Sequence, residues 1–148
     1  MFAGTIKENI EIGRKIGKDA LVGLLQQIGL AELIKRSGEG ENFQVGENGS
    51  RLSVGQKQLV GLARAVIQNP SVLILDEPTT GMDMGLERQM ISHLKTITAD
   101  KTVIVITHRY AALELVDRVM VVNNGRIVAD GPRDIILSKL QNPNGAGS

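Results

Sequence analysis

The stretch Val72-Leu73-Ile74-Leu75-Asp76-Glu77-Pro78 decides the fold of this chain. Four aliphatic residues in a row, followed by two carboxylates and a proline, predict a short buried strand that ends in a polar turn. A second run of the same kind, Val103 to Ile106, comes after a helical segment. Strands that are apolar throughout are expected to be buried on both faces, and strands joined through helices form parallel sheets. We therefore predict an α/β fold with a parallel sheet.

The chain before Asn69-Pro70 is predicted to be helical. From Lys18 to Lys35 apolar residues recur every three or four positions, which indicates an amphipathic helical stretch that Gly29 divides in two. Residues 37–50 are rich in glycine and predict an extended loop. Ser53 then opens another helix with a capping-box pattern.

After residue 70, strands and helices alternate. Beyond the two strands, we predict a helix over 85–96, a short helix over 111–115, a hairpin of strands 118–122 and 126–129 around an Asn-Gly turn, and a helix over 132–140 that starts with Pro132. The change of pattern at Pro70 divides the chain into a helical subdomain, residues 1–69, and a partial α/β core, residues 70–141. Residues 142–148 are predicted to be a flexible tail.

Composition excludes several classes of function. The 148 residues carry 17 Lys and Arg against 16 Asp and Glu, and the net charge of +1 indicates no charged partner. The aromatic residues are Phe2, Phe43 and Tyr110. Because few aromatic side chains are available to stack on nucleobases, we expect no nucleic-acid partner. The absence of cysteine and the presence of 2 histidines exclude thiolate sites and multi-histidine metal cages.

Polar side chains follow both predicted strands. Asp76 and Glu77 end the first, and Thr107-His108-Arg109 ends the second. The carboxyl ends of neighbouring parallel strands meet at one edge, where open α/β sheets bind ligands. One carboxylate can hold a hydrated Mg²⁺ while the other faces an attacking water. Taken singly, the carboxylates fit a solvated strand end and the histidine fits a structural role; their coincidence favours function.

The segment Leu52-Ser53-Val54-Gly55-Gln56 is a third candidate site. A turn of small residues that opens a helix presents backbone N–H groups and a serine hydroxyl, which suit an anionic phosphate. The alternative is a plain capping box, because the same spacing forms one.

In order and spacing, these segments resemble the motifs of ATP-binding-cassette (ABC) ATPases. Leu52 to Gln58 resembles the signature motif, and Ser71 to Pro78 resembles the Walker B strand with its catalytic glutamate. Gly81-Met82-Asp83 is similar to the D-loop, and Thr107-His108-Arg109 to the loop of the switch histidine. Four ordered motifs make this resemblance specific, and it covers nearly the whole chain. It implies a P-loop NTPase fold: a partial core with a parallel sheet, a helical subdomain and a C-terminal β-hairpin.

The resemblance also implies roles for the residues at the strand ends. Asp76 helps to hold Mg²⁺, Glu77 polarises the attacking water, and His108 contacts the γ-phosphate of ATP. ATP and Mg²⁺ are therefore the expected ligands, and phosphoryl transfer to water is the expected reaction.

Other residues are implied to act across a head-to-tail dimer with a second nucleotide-binding domain. Asp83 communicates between the two nucleotide sites. The signature residues are implied to bind the γ-phosphate of ATP that the second domain holds; these residues are Ser53, Val54, Gly55 and Gln56. Val54 stands where the family usually has glycine.

The phosphate-binding loop of the family is absent from these 148 residues. No stretch satisfies G-x-x-x-x-G-K-[ST], and the nearest, Gly13 to Asp19, is one residue short between its glycines and ends in Asp. The chain therefore resembles the C-terminal part of a nucleotide-binding domain, and we expect no ATP hydrolysis by the chain alone.

Further segments resemble ABC exporters. Phe2 to Ile10 is similar to the stretch after the Q-loop, and Val45-Gly46-Glu47 to the X-loop. Val116-Asp117-Arg118 together with Gly125 to Pro132 is similar to the type I secretion ATPases. This implies an exporter's transmembrane domain as a partner and a position at the cytoplasmic face of the bacterial inner membrane. Two alternatives remain open: a non-catalytic interaction module that docks on a complete ABC subunit, and a fragment of a soluble ABC ATPase.

Overall fold

The computed structural model describes residues 1–141, and the tail predicted at 142–148 lies outside the described residues. The helices are α1 (Ile6–Glu11), α2 (Lys18–Gln27), α3 (Ala31–Ser37), α4 (Val54–Val66), α5 (Met84–Ile97) and α6 (Arg133–Gln141). The strands are β1 (Val72–Asp76), β2 (Thr102–Ile106), β3 (Arg118–Asn123) and β4 (Arg126–Pro132). Short 3₁₀ helices lie at Gly40–Asn42, Glu47–Gly49 and Tyr110–Leu115.

The strands form two separate sheets. β1 and β2 pair in parallel, in a register that runs from Val72 opposite Thr102 to Asp76 opposite Ile106. Because α5 connects these two strands, the parallel sheet arises from the alternation that the sequence predicts. β3 and β4 form an antiparallel hairpin around Asn124-Gly125. Both residues of that turn have positive φ, +48° and +72°, which is the conformation that an Asn-Gly turn supplies. The predicted α/β class is confirmed.

Gly29 separates α2 from α3, as the sequence predicts. Its φ is +79°, a conformation that glycine adopts without steric cost. A side chain at this position would also collide with the imidazole of His93, which lies against the Gly29 backbone. His93 is half-buried on α5, so this histidine belongs to the boundary of the core rather than to the site described below.

Helix α1 is an element that the sequence analysis missed. Thr5 caps it: its hydroxyl accepts from the Glu8 backbone N–H at 3.0 Å, and the Glu8 carboxylate accepts from the Thr5 N–H at 2.7 Å. The fully buried Asn9 then accepts from Arg64 of α4, whose Nη2 lies 2.8 Å from the Asn9 Oδ1. The Thr-x-x-Glu spacing at residues 5–8 is a capping-box signal and could have predicted this helix.

Several predicted boundaries need correction. The glycine-rich loop over 37–50 contains the first two 3₁₀ helices, and the helix expected around 111–115 is also 3₁₀. Pro132 does not start the last helix, because it pairs with Arg118 at the end of β4. α6 therefore begins one residue later, where the Arg133 N–H donates to the Asp117 carbonyl at 2.8 Å.

The prediction that both parallel strands are buried on both faces is wrong for this chain. On β1, Leu73 and Leu75 are buried, whereas Val72 and Ile74 are 53% and 63% exposed. Ile104 and Ile106 of β2 are likewise about half exposed. One face of the sheet rests on the helical core, and no element of residues 1–141 covers the other. The apolar sequence of both faces is nonetheless typical of strands that have a cover on each side.

The buried core crosses the position where the chain changes its pattern. One apolar cluster joins Ile10 of α1, Leu25 of α2 and Val60 of α4 to Leu75 of β1 and Leu94 of α5. The helices before residue 69 therefore share buried apolar surface with the elements after it, and this shared core fixes α4 against α5 and the parallel strands.

Gly55 and Gly61 of α4 are expected to differ in how well they tolerate a side chain, because only Gly55 packs closely against α5. A Cβ on Gly55 would lie 3.3 Å from Leu86 Cγ and collide with one of its methyl groups, whereas a Cβ on Gly61 would meet open space. Gly61→Ala should therefore stabilise the chain by about 1 kcal/mol through helix propensity. Gly55→Ala should destabilise it by about 1 kcal/mol, because overpacking outweighs the same propensity gain. Urea unfolding of both variants measures the difference; equal stabilisation by both would contradict this packing.

Candidate functional site

Glu77 and His108 meet where the parallel strands end. The register places Asp76 opposite Ile106, so the residues that follow these two strands leave the sheet side by side. His108 Nδ1 lies 2.7 Å from Glu77 Oε1, and the His108 backbone N–H donates to the same oxygen at 3.2 Å. The predicted convergence of a carboxylate and a histidine at this edge is therefore present.

The surroundings of Glu77 fix its carboxylate in one orientation. Its second oxygen, Oε2, accepts from the hydroxyls of Thr80 and Thr107, each at 3.3 Å. The Glu77 backbone N–H donates to the Ile106 carbonyl at 2.8 Å. Glu77 also has a φ of +46°, a conformation that is uncommon for any residue other than glycine. Strained backbone of this kind persists where neighbouring contacts determine it, as they do here.

The electrostatics of this pair keep Glu77 ionised. The hydrogen bond from His108 holds the pKa of the Glu77 carboxyl below its ordinary value, while partial desolvation acts in the opposite direction. A carboxylate with a low pKa is a weak base at neutral pH. Glu77 can therefore orient a water molecule through its charge and its lone pairs.

Asp76 is the residue that fits a metal ion. It is exposed at the end of β1, and its carboxylate makes no hydrogen bond or ion pair within residues 1–141. No group of three His, Asp or Glu side chains in that range converges as a metal site. Mg²⁺ in nucleotide sites needs only one or two carboxylates, since phosphate oxygens and water complete its coordination. A single free carboxylate at the mouth of a strand therefore fits Mg²⁺ held together with a phosphate.

The second candidate site lies at the start of α4. The Ser53 hydroxyl accepts from the Gln56 N–H at 3.2 Å, and Gln56 Oε1 accepts from the Ser53 N–H at 2.9 Å. The capping box is therefore formed, as predicted. It leaves the Gln56 side-chain amide N–H groups free to donate at this exposed helix start, and Gly55 keeps the helix close to α5.

Val54 lies against residues 79–83, which are called the D-loop segment below because they end in Gly81-Met82-Asp83, the residues that resemble the D-loop. Val54 is 58% exposed, and its Cγ1 approaches within 3.3 Å of the place that a Cβ on Gly81 would take. Asp83 ends the segment as the N-cap of α5, accepting from the Gly85 and Leu86 N–H groups at 2.8 and 2.9 Å. Gln58 of α4 donates to the Thr80 carbonyl at 2.7 Å. Helix α4 and residues 79–83 thus form one contact surface.

The predicted site residues fall into two clusters. Glu77 and His108 are bonded to each other, and Ser53 and Gln56 are bonded to each other. In the described part of the chain no hydrogen bond joins one pair to the other. Gln58 of α4 links the two clusters, because it contacts the carbonyl of Thr80, which lies three residues after Glu77.

Sequence reasoning missed the polar residues that support these clusters. The sequence places Arg109 in the polar run after the second strand but indicates no role for it, and it does not single out Glu87. The two form a half-buried ion pair: Arg109 Nε lies 2.8 Å from Glu87 Oε1. A carboxylate at a helical position that faces the core is the signal that could have found the pair, because buried carboxylates require a partner.

Comparison with known proteins identifies the family. The family model described as ABC transporter matches residues 3–80. The CydC glutathione/L-cysteine transport system ATP-binding/permease protein of Haemophilus influenzae is 35% identical over 141 residues, which is 94% of this chain and 24% of that protein. The ATP-dependent lipid A-core flippase of Francisella tularensis is 34% identical over 141 residues, with 94% and 23% covered. This chain belongs to the ABC transporter family.

A solved structure agrees with this assignment. A bacterial Atm1-family ABC exporter with ATP bound superposes on the whole chain with a TM-score of 0.83, at 29% identity and over 27% of that exporter. The chain spans about a quarter of the length of the curated relatives it matches. It corresponds to part of the ATP-binding domain. Within residues 1–141, no helix has the length and apolarity needed to cross a membrane.

Removal of the histidine should change the titration of Glu77. His108→Ala is expected to raise the pKa of the Glu77 carboxyl toward 4.5, its ordinary value, because the hydrogen bond from His108 is the largest cause of the depression. Carboxyl ¹³C NMR titration measures this. Glu114, whose pKa Lys95 lowers at a distant surface pair, is the internal control and should not move.

The lowered pKa of Glu77 also predicts how the stability of the folded chain changes with pH. The pKa of Glu77 is lower in the folded chain than in the unfolded chain, so its contribution is present above about pH 4.5 and is lost as the pH falls through the folded-state pKa. The His108→Ala variant should therefore lose less stability on acidification than the wild type. An unchanged Glu77 titration in the variant would show that the contact does not form in solution.

Proposed function

We propose that this chain carries the hydrolytic residues of an ABC exporter ATPase, with Glu77 and His108 as catalytic residues. The observation that carries the proposal is their 2.7 Å contact at the carboxyl ends of β1 and β2. Ligands of open α/β sheets bind at this edge, and Asp76 places a free carboxylate there. Membership of the ABC transporter family makes ATP the nucleotide to expect.

The geometry supports phosphoryl transfer to water. Glu77, ionised and held by two hydroxyls, orients the attacking water and accepts its hydrogen bond. His108 has a ring that is 78% exposed, so it can turn from Glu77 toward a phosphate oxygen and donate to it. Asp76 would hold Mg²⁺, which supplies charge neutralisation at the phosphate oxygens. These residues position and neutralise charge, which is most of what phosphoryl transfer requires.

The signature cluster is proposed to act on a second ATP. Ser53, Gly55 and Gln56 present a hydroxyl, a close backbone and side-chain N–H groups at an exposed helix start. No hydrogen bond within residues 1–141 joins them to the Glu77–His108 pair, which supports the view that they serve different nucleotides in a head-to-tail dimer of nucleotide-binding domains. Val54 adds bulk beside this surface but rests on Gly81, which keeps its side chain against the D-loop segment.

The wider setting follows from the exporter relatives. We propose that the intact protein couples ATP hydrolysis to export through a transmembrane domain, at the cytoplasmic face of the bacterial inner membrane. Residues 116–118 and 125–132 resemble type I secretion ATPases, and we propose that the intact protein is an exporter of that kind.

The test is the ATP turnover of the full-length protein that contains this sequence. Glu77→Gln keeps the shape of the side chain and removes its charge, so turnover should fall about 10²-fold or more. Glu114→Gln is the matched control: it neutralises an exposed carboxylate in a surface pair with Lys95, and turnover should stay near the wild-type value. A Glu77→Gln variant as active as the control would refute the proposed role.

A further inference from the structure

Arg109 sits next to His108 and points into the protein rather than toward solvent. Its guanidinium hydrogen-bonds to both carboxylate oxygens of Glu87, with Nε 2.8 Å from Oε1 and Nη2 2.9 Å from Oε2. Glu87 lies in the first turn of α5 and is only 6% exposed. A planar fork that binds a carboxylate with two parallel hydrogen bonds has a fixed orientation.

The remaining donors of Arg109 reach the D-loop segment. Nη1 donates to the Thr79 carbonyl at 2.7 Å, and Nη1 and Nη2 lie 3.4 and 3.5 Å from the Met82 carbonyl. Thr79 is fully buried, and its hydroxyl donates to Glu87 Oε1 at 2.8 Å. One side chain thus connects the loop after β2 to both ends of the segment that leads to Asp83.

Further hydrogen bonds hold the D-loop segment and Glu77 in place. His108 and Thr107 hydrogen-bond to Glu77, and Arg109 donates to the Thr79 and Met82 carbonyls. Gln58 of α4 donates to the Thr80 carbonyl, which lies between them. We propose that Arg109 is a positioning residue that fixes the D-loop segment, and with it Asp83, relative to the Glu77–His108 pair. This inference rests on the proposed function of that pair.

The Arg109→Lys substitution distinguishes the positioning role of Arg109 from the effect of its positive charge. A lysine ammonium can neutralise the buried Glu87, but it has no fork and cannot bind both Glu87 oxygens and two carbonyls at once. Arg109→Lys should therefore keep the fold and release the segment. The Thr80 and Met82 amides, which donate to the Glu77 and Thr79 carbonyls at 3.2 Å, report that release directly.

Amide hydrogen exchange of the 148-residue chain is the first measurement. In Arg109→Lys, exchange at Thr80 and Met82 should accelerate about tenfold or more, while amides of the β3–β4 hairpin stay unchanged. Arg118→Lys is the matched control, because Arg118 makes the same two-pronged contact with Asp130 on the hairpin, both bonds at 2.8 Å. It should leave Thr80 and Met82 unchanged. Unchanged exchange in Arg109→Lys, or an equal increase throughout the chain, would overturn the proposal.

Kinetics of the full-length protein give the second measurement. Arg109→Lys should lower kcat for MgATP about tenfold with KM nearly unchanged, because Arg109 contacts the D-loop segment and none of the residues assigned to nucleotide. A higher KM at unchanged kcat would contradict a positioning role. If Glu77→Gln is as active as wild type, the proposed function fails, whereas the exchange experiment still decides whether Arg109 fixes the segment.

Discussion

The parallel pairing of β1 and β2 is the constraint on which the rest of the site depends. The register that sets Asp76 opposite Ile106 delivers Glu77 and Thr107-His108-Arg109 to one edge, and the Glu77 N–H donates to the Ile106 carbonyl at the point where the strands separate. A shift by one residue would move every side chain of β2 to the other face of the sheet and would break the 2.7 Å contact between Glu77 and His108. The contact between Glu77 and His108 therefore depends on backbone hydrogen bonds between two five-residue strands.

The elements that the sequence predicts well are those whose signal is local. The capping box at Ser53, the Asn-Gly hairpin and the division of the first helical stretch at Gly29 each depend on residues a few positions apart. The convergence of Glu77 and His108 was also predictable, because parallel strands that are joined through a helix must end at the same edge.

What the sequence does not predict depends on packing between distant segments. The contacts from Arg109 to Glu87 and to the Thr79 carbonyl span more than twenty residues, and nothing in the local pattern selects those partners. The exposed face of β1 and β2 was missed for a related reason: Ile74 and Ile104 have a sequence typical of a covered strand, but burial depends on which other elements are present. α1 is different, since its capping box is local and could have been read.

We propose that this chain carries the hydrolytic and signature residues of an ABC ATPase without the loop that holds the phosphates. Isothermal titration calorimetry of MgATP into the purified 148-residue chain tests it most directly. Asp76 is assigned to Mg²⁺, Glu77 to the attacking water, and the start of α4 to the γ-phosphate of a second ATP. Because none of these residues holds the nucleoside or the inner phosphates, the chain alone should show no detectable binding heat. Clear, saturable binding with one ATP per chain would contradict the account, because it would require a nucleotide site made entirely from residues 1–148.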